Sequence, residues 1–397
     1  MRWVVFCLAL SAHIFSYLLE PRRLEPFQYF AYAFFWWSYI CLLDSIVCFR
    51  KGRFQILKPS LPYLILFSSS YWCIFELINL RMENWFYVNV PEGFWKNLPG
   101  YFLSYGTVIP GILLTKETLS PLFEEVKTRP LPVFPRLSIG LGFLFLLLLF
   151  IFPLYFFPVA WIFLLLITEG YCYLRGFPSF MEQLGRGQAG DVLTTALTGL
   201  VCGFLWEVWN TLSVAKWVYS VPFFEGCKLF EMPLPGYLGF VPFALGTVSF
   251  ANLLTGLRAL ERPRAVLLLP CILFSIFSFF LIQKYTVFSA LTEVGRLSFI
   301  EESTRKMLLE QGVRTSYGID ERLLSEEERQ RLRLLHLKGM GYERMSLLER
   351  HGIDSVEKFS RLDLETLARI WGERNLRRLR VFLTEARKEE RWQRRKR

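Results

Sequence analysis

The sequence predicts an all-α integral membrane protein: a polytopic bundle of about nine spans, built as a tandem internal repeat, with a small basic helical domain behind it. Three observations predict this. More than half of the 397 residues are hydrophobic, and 39 are phenylalanine. Charge is split unevenly, with 25 Lys/Arg and 19 Asp/Glu from Phe288 onward against 21 and 16 in everything before it. A set of four short motifs also occurs twice in the same order.

The apolar region breaks into runs long enough to cross a bilayer, about 17–25 residues each. They lie at about 3–20, 28–49, 61–80, 99–115, 137–153, 157–174, 192–210, 237–257 and 265–283. The fifth and sixth share one run, with Pro153 and Pro158 at the expected turn. Hydrocarbon offers the backbone no partner, so these runs should be helices; nothing alternates as a transmembrane barrel does. Arg2 and Trp3–Leu10 resemble a signal-peptide start. Ser11–Leu19 stays apolar with no small-residue cleavage site, which favours an uncleaved first span.

The eight cysteines form no C-x-x-C pair and read as small core residues. His13 is the only histidine in a span, so a bis-histidine haem is not expected. There is no P-loop, dinucleotide fingerprint, Ser/His or Cys/His arrangement or metal-ligand spacing. No metal site or soluble cofactor is implied, and any cofactor stays unknown.

The repeat is the strongest signal. Phe75-Glu76-Leu77-Ile78-Asn79 leads to Trp85-Phe86-Tyr87, Val90-Pro91 and Leu98-Pro99-Gly100-Tyr101. Trp206-Glu207-Val208-Trp209-Asn210 leads to Trp217-Val218-Tyr219, Val221-Pro222 and Leu234-Pro235-Gly236-Tyr237. Upstream, Trp36, Asp44 and Arg50 have the spacing of Trp161, Glu169 and Arg175. The units are 1–136 and 137–260, with 261–287 an extra span. Equivalent helices four spans apart make the halves parallel; one span more or fewer in the 137–174 region makes them inverted.

Glu and Asn at i and i+3 share a helix face. An ionisable group at membrane depth should turn to the bundle interior. Candidate sites are Glu76 and Glu207 as acids, with Asp44, Asn79, Glu169, Asn210 and Glu231 around them. They could shuttle a proton, hold a cation or protonate an olefin. Glu–Asn pairs also hydrogen-bond neighbouring helices and fix register. The Trp-x-Tyr segments read as interfacial anchors.

Trp206–Phe240, and more loosely Phe75–Tyr105, resemble the membrane carotenoid cyclases of the lycopene cyclase type. In those small helical repeats an acidic span leads into W-x-Y and a proline-containing helix start. That family carries paired glutamates in a P-L-E-E pattern. Here Pro233-Leu234-Pro235-Gly236 follows the single Glu231, so cyclase activity does not carry over.

Residues 288–324 read as a charged helical linker. Ser325-Glu326-Glu327-Glu328 is a capping box for a helix to about Leu337. Leu337-Lys338-Gly339-Met340-Gly341-Tyr342 follows, then a helix ended by Gly352. Asp354-Ser355-Val356-Glu357 forms a second capping box, and Asp363 is an expected N-cap. Residues 325–397 resemble a helix-hairpin-helix domain. That resemblance implies phosphate or partner contact at Lys338, Gly339, Gly341 and Arg344. Arg391, Arg394, Arg395, Lys396 and Arg397 add a basic tail suited to a protein partner, anionic lipid or nucleic acid.

Basic residues cluster in alternate loops: Arg50, Lys51, Arg53 and Lys58; Lys116, Lys127, Arg129 and Arg136; Arg258, Arg262 and Arg264. The positive-inside rule puts the N-terminus in the cytoplasm. A basic module of this kind is expected there too, in a prokaryotic inner membrane, and nine spans conflict with having both. Three functions fit. One is a membrane protein binding a lipid or isoprenoid between its repeats, with acid chemistry as its enzymatic form. The others are a proton- or ion-coupled transporter and a membrane anchor presenting the terminal module.

Overall fold

The computed structural model describes residues 2–25, 27–224, 226–261 and 265–396. Arg262, Arg264 and Arg397, named above, lie outside the described residues, as does the side chain of Lys396. The chain is almost entirely helical. The apolar part holds α1 (Arg2–Leu19), α2 (Phe27–Lys51), α3 (Leu61–Met82), α4 (Phe94–Tyr105) and α5 (Val108–Leu119). It continues with α6 (Pro135–Ile151), α7 (Pro153–Phe156), α8 (Phe163–Leu174), α9 (Phe180–Gly185), α10 (Gly190–Leu212), α11 (Phe240–Gly256) and α12 (Ala265–Tyr285).

Among the described residues, seven helices are long and apolar enough to cross a membrane. All nine sequence runs are helical, so the lower number has a local cause. Pro153 and Pro158 break the 137–174 region. Proline removes an amide donor and clashes with the preceding turn. What remains is α6, only 17 residues long, and a pair bent by 41° at Ile162 that would add an eighth crossing if it is one span. Glycines set the helix spacing. A Cβ on Gly142 or Gly170 would meet the backbone oxygen of Phe163 or Pro135, and one on Gly199 that of Phe240. Small residues let α6 approach α8 and α10 approach α11.

Two short strands follow α3 and α10: β1 (Trp85–Val88) and β2 (Lys216–Tyr219). They pair antiparallel, Trp85 opposite Tyr219, Phe86 opposite Val218 and Tyr87 opposite Trp217. The chain leaving α12 runs beside β1, with Tyr87 N donating to Thr286 O at 2.8 Å and Phe288 N to Tyr87 O at 2.7 Å. Side chains alternate across a strand. Trp85, Tyr87, Trp217 and Tyr219 turn toward the membrane bundle, while Phe86, Val88 and Val218 enter the core of the C-terminal module.

That module holds α13 (Glu302–Glu310), α14 (Glu326–His336), α15 (Tyr342–Glu349), α16 (Val356–Ser360), α17 (Leu364–Trp371) and α18 (Leu376–Lys396). Ser325 and Glu328 form the expected capping box, and Asp363 caps α17. The cap of α16 is Ser355, one residue later than expected, because Asp354 pairs with Lys358 instead. The module sits where several membrane elements end. Thr315 Oγ1 bonds Gln28 Oε1 at 3.0 Å, Asn375 Nδ2 bonds Glu83 Oε2 at 2.8 Å, and Arg377 Nη1 bonds Asn84 Oδ1 at 3.0 Å. The loop ends away from the module carry the basic clusters. There Arg50 and Lys51 pair with Glu117 at 2.7 and 2.8 Å, and Lys116 pairs with Asp191.

Candidate functional site

Glu76 lies one and a half turns before the end of α3, fully buried. Its Oε1 accepts from Trp72 Nε1 at 2.8 Å, Trp85 Nε1 at 3.1 Å and Tyr87 Oη at 2.5 Å; Oε2 lies 3.3 Å from Trp85 Nε1. Tyr105 Oη donates to Tyr87 Oη at 3.2 Å, extending the chain outward. Three donors from α3 and β1 thus converge on one carboxylate, and charge-assisted bonds of this kind are the strong ones.

Glu207 is also fully buried, near the end of α10. Tyr219 Oη donates to its Oε1 at 2.8 Å. Among the described residues its Oε2 has no partner within hydrogen-bond distance, although the Trp217 side chain also acts on this carboxyl group. The sequence explains the contrast. The position of Trp72, four residues before Glu76, is matched by Gly203, four before Glu207. A Cβ on Gly203 would run into the Phe240 ring, so an aromatic wall stands where the other half has an indole donor.

Between these carboxylates lies a cavity of about 130 Å³. Trp72, Trp85, Tyr87, Tyr105 and Val108 come from the first half of the apolar region. Trp161, Trp206, Glu207, Trp217, Tyr219 and Phe243 come from the second. Trp161 stacks on Phe75 at 5.5 Å and Trp36 packs on Trp206 at 5.4 Å, so each half reaches into the other.

The asparagines do different work. Asn79 Oδ1 accepts from Asn84 N at 2.9 Å and Trp85 N at 3.2 Å, and its Nδ2 donates to Trp85 O at 2.8 Å. Asn210 accepts from Trp217 N and donates to Trp217 O, both at 3.0 Å. Each brackets the backbone of a strand tryptophan, Trp85 at the start of β1 and Trp217 second in β2. Asp44 is not brought to Glu76. Its oxygens take the amides of Gln55, Ile56 and Leu57 at 2.7, 3.0 and 2.7 Å, pinning the α2–α3 loop. Glu169 likewise takes Met181 N at 2.8 Å across the α8–α9 loop.

Lys338, Gly339, Gly341 and Arg344, the residues expected to contact phosphate or a partner, lie against other parts of this chain. Lys338 Nζ lies 2.7 Å from buried Glu231, with Lys216 Nζ at 4.0 Å. Burial alone would push the Glu231 carboxyl up, but the two ammoniums override it and hold it below its usual value. A Cβ on Gly339 would lie 2.7 Å from Val88 Cβ, and one on Gly341 2.6 Å from Ser289 Cβ. Arg344 donates to Phe288 O and lies over the Phe288 ring at 3.4 Å. Burial pushes its guanidinium down to about 10. Gly339, Gly341 and Arg344 dock the module against β1 and the chain leaving α12, and Lys338 docks it against Glu231 in the loop after β2.

No family model, curated protein or solved structure matches the chain. Among the described residues, no three His, Cys, Asp or Glu side chains come together as a metal set. Sequence reading missed Tyr87, Tyr219 and Lys216 as site residues. The recurring order of Glu, then Trp-x-Tyr, was the available signal: the tyrosine lies 11 or 12 residues after the glutamate it bonds.

Proposed function

We propose that this protein binds a hydrophobic or amphiphilic ligand, a lipid or an isoprenoid, in the cavity between its two halves. Glu207 is the polar contact. The observation that carries the reading is Glu207 Oε2, buried and without a hydrogen-bond partner among the described residues, on a side chain that lines an aromatic cavity. A buried polar atom without a partner is costly, so its retention calls for a reason. A bound ligand's donor supplies one. If the ligand is modified by acid chemistry, this is the oxygen placed to deliver the proton.

The halves are read as a duplicated unit. Support comes from the strand register, which places each tryptophan opposite the other half's tyrosine around Phe86 and Val218. A two-fold axis through that pair, along the membrane normal, relates α3 to α10 and makes the repeats parallel. All nine helical runs are read as crossings, with α6 and the bent α8 pair among them. Residues 325–397 are read as a helix-hairpin-helix fold whose hairpin is used internally. With its docking residues buried, the module acts as a cap on the strand pair, and an external partner is left to the basic tail.

Thr315–Gln28 places the α1–α2 turn on the module's face. Nine crossings therefore put Arg2 and the basic loops on the opposite face. Long domains translocate largely regardless of charge, so the loop clusters decide orientation. We read those loops as cytoplasmic and the module as external, against the expectation of a cytoplasmic module in a prokaryotic inner membrane.

The test is lipid mass spectrometry on protein purified gently from its native membrane. A stoichiometric lipid or isoprenoid, lost in Glu207→Gln and kept in Asp44→Asn, is expected. Bulk lipid alone, the same in both variants, sinks the proposal. Ion-dependent flux into liposomes, abolished by Glu207→Gln, would favour a carrier instead.

A further inference from the structure

We infer that the group seated at Glu207 is an alkylammonium: the cationic amine end of an amphiphile whose chain leaves the cavity. This rests on the binding reading above and names the substrate class for the same site.

Two features meet at this point. The first is Oε2 of the fully buried Glu207, which has no hydrogen-bond partner among the described residues. The second is the wall. Trp72, Trp85, Trp206, Trp217 and Tyr219 surround the space with aromatic rings. Ring faces attract cations, more strongly where water is excluded. An ammonium gains from both features, through an N–H donated to Oε2 and a charge set against π faces. A hydroxyl gains only the first, and an anionic carboxylate or phosphate gains nothing from the ring faces.

Size limits what enters. The cavity, about 130 Å³, is close to the roughly 150 Å³ engineered cavity that takes up benzene. It holds a head group and its first carbons, not a lipid. Tyr29, Phe30, Gly100 and Ser104, on α2 and α4, are part-exposed lining residues, with the Phe30 ring packed on Gly100 between the two helices. The chain would leave there, toward the region that α2 and α4 present to the bilayer. Glu76 does not compete for the amine, because its oxygens already accept from Trp72, Trp85 and Tyr87.

The experiment titrates the full-length protein in phosphatidylcholine nanodiscs with n-decylammonium, 1-decanol and ethylammonium, reading tryptophan emission. Saturable binding of decylammonium is expected, at least tenfold weaker for decanol and for ethylammonium. Glu207→Gln should weaken decylammonium at least tenfold without changing decanol. Trp217→Phe, which keeps the carboxyl, should weaken decylammonium less than Glu207→Gln does and serves as the folded control. Decanol binding as tightly as decylammonium overturns the cation and leaves the amphiphile reading standing. Ethylammonium binding as tightly as decylammonium overturns the requirement for a chain. No saturable binding by any probe overturns this inference, and the wider reading is then judged by the native-lipid result.

Discussion

The two glutamates occupy matching places in the sequence, yet their surroundings predict opposite responses to substitution. Replacing Glu76 by Leu strands three donors, Trp85 Nε1 on a buried residue and Trp72 Nε1 and Tyr87 Oη on half-buried ones. Each buried donor left without an acceptor costs about 1–3 kcal/mol, so three set an upper range of roughly 3–9 kcal/mol. Replacing Glu207 by Leu strands only Tyr219 Oη and removes an oxygen that already lacked a partner. Its cost is about 1–3 kcal/mol, reduced by the apolar wall the leucine joins. Glu76→Gln keeps one oxygen able to accept at the Oε1 position, where three of the four contacts converge, and should cost little. The assay is the fraction of monodisperse protein after heating in mild detergent, across a temperature series. Glu76→Leu should fail tens of degrees before Glu207→Leu, with Glu76→Gln near the parent. Equal losses in the two leucine variants, or a larger one in Glu207→Leu, would refute the division into a structural and a ligand-facing carboxylate.

Three further outcomes are expected. Gly339→Ala adds a Cβ 2.7 Å from Val88 Cβ at φ +68°; strain and overpacking cost roughly 2–5 kcal/mol, and limited proteolysis should cut residues 290–325 faster than in the parent. His336 is half-buried, stacked on Tyr317 at 3.9 Å, and its loss of solvent pushes the imidazole pKa down to about 3. The unfolded chain binds that proton below about pH 6.5 and the folded one does not, so stability should fall by about 1.4 kcal/mol per pH unit between about 6.5 and 3. His336→Phe should flatten this acid slope in thermal scans, and an unchanged slope would refute the assignment. Cys227 is exposed on the side of β2 and should react with a membrane-impermeant maleimide in intact cells; labelling only after lysis would reverse the proposed orientation.

The helices were legible because their cause is local and strong. A run of apolar residues longer than a bilayer is thick has few other solutions. Caps at Ser325 and Asp363 were legible for a similar reason, since a cap bonds an amide three residues away. The strand pair was not. Trp85-Phe86-Tyr87 is a four-residue strand's worth of aromatics, and its partner lies more than a hundred residues later. Interfacial anchoring and site lining draw on the same residue types, so composition could not separate them. Asp44 and Asn79 looked alike as buried polar groups beside Glu76. Only the fold reveals that one is spent on Gln55–Leu57 and the other on the backbone of Trp85. Gly339 and Gly341 fitted a phosphate-binding hairpin, but close approach to Val88 and Ser289 makes the same demand for glycine.

The strand pair joins the two parts of the chain through alternate residues, and this changes how a truncation should be read. Phe86, Val88 and Val218 are fully buried in the module's core. Trp85, Tyr87, Trp217 and Tyr219, their neighbours, form the outer wall of the cavity. Removing residues 325–397 would expose the first three, at about 1.5–3 kcal/mol each. It would also release the contacts of Asn375 and Arg377 with Glu83 and Asn84, where α3 hands the chain to β1. A wall whose back is exposed by roughly 5–9 kcal/mol of lost burial will not hold Tyr87 on Glu76 or Tyr219 on Glu207. Loss of function on truncation therefore follows whether the module recruits a partner or only braces the cavity. The informative change is one on the module's outward face. Replacing Arg391, Arg394 and Arg395 by Gln leaves the strand contacts untouched. Ligand binding should then be retained. A loss of function with binding intact would assign the basic tail a partner of its own, and a loss of both would show that the tail also supports the docked module.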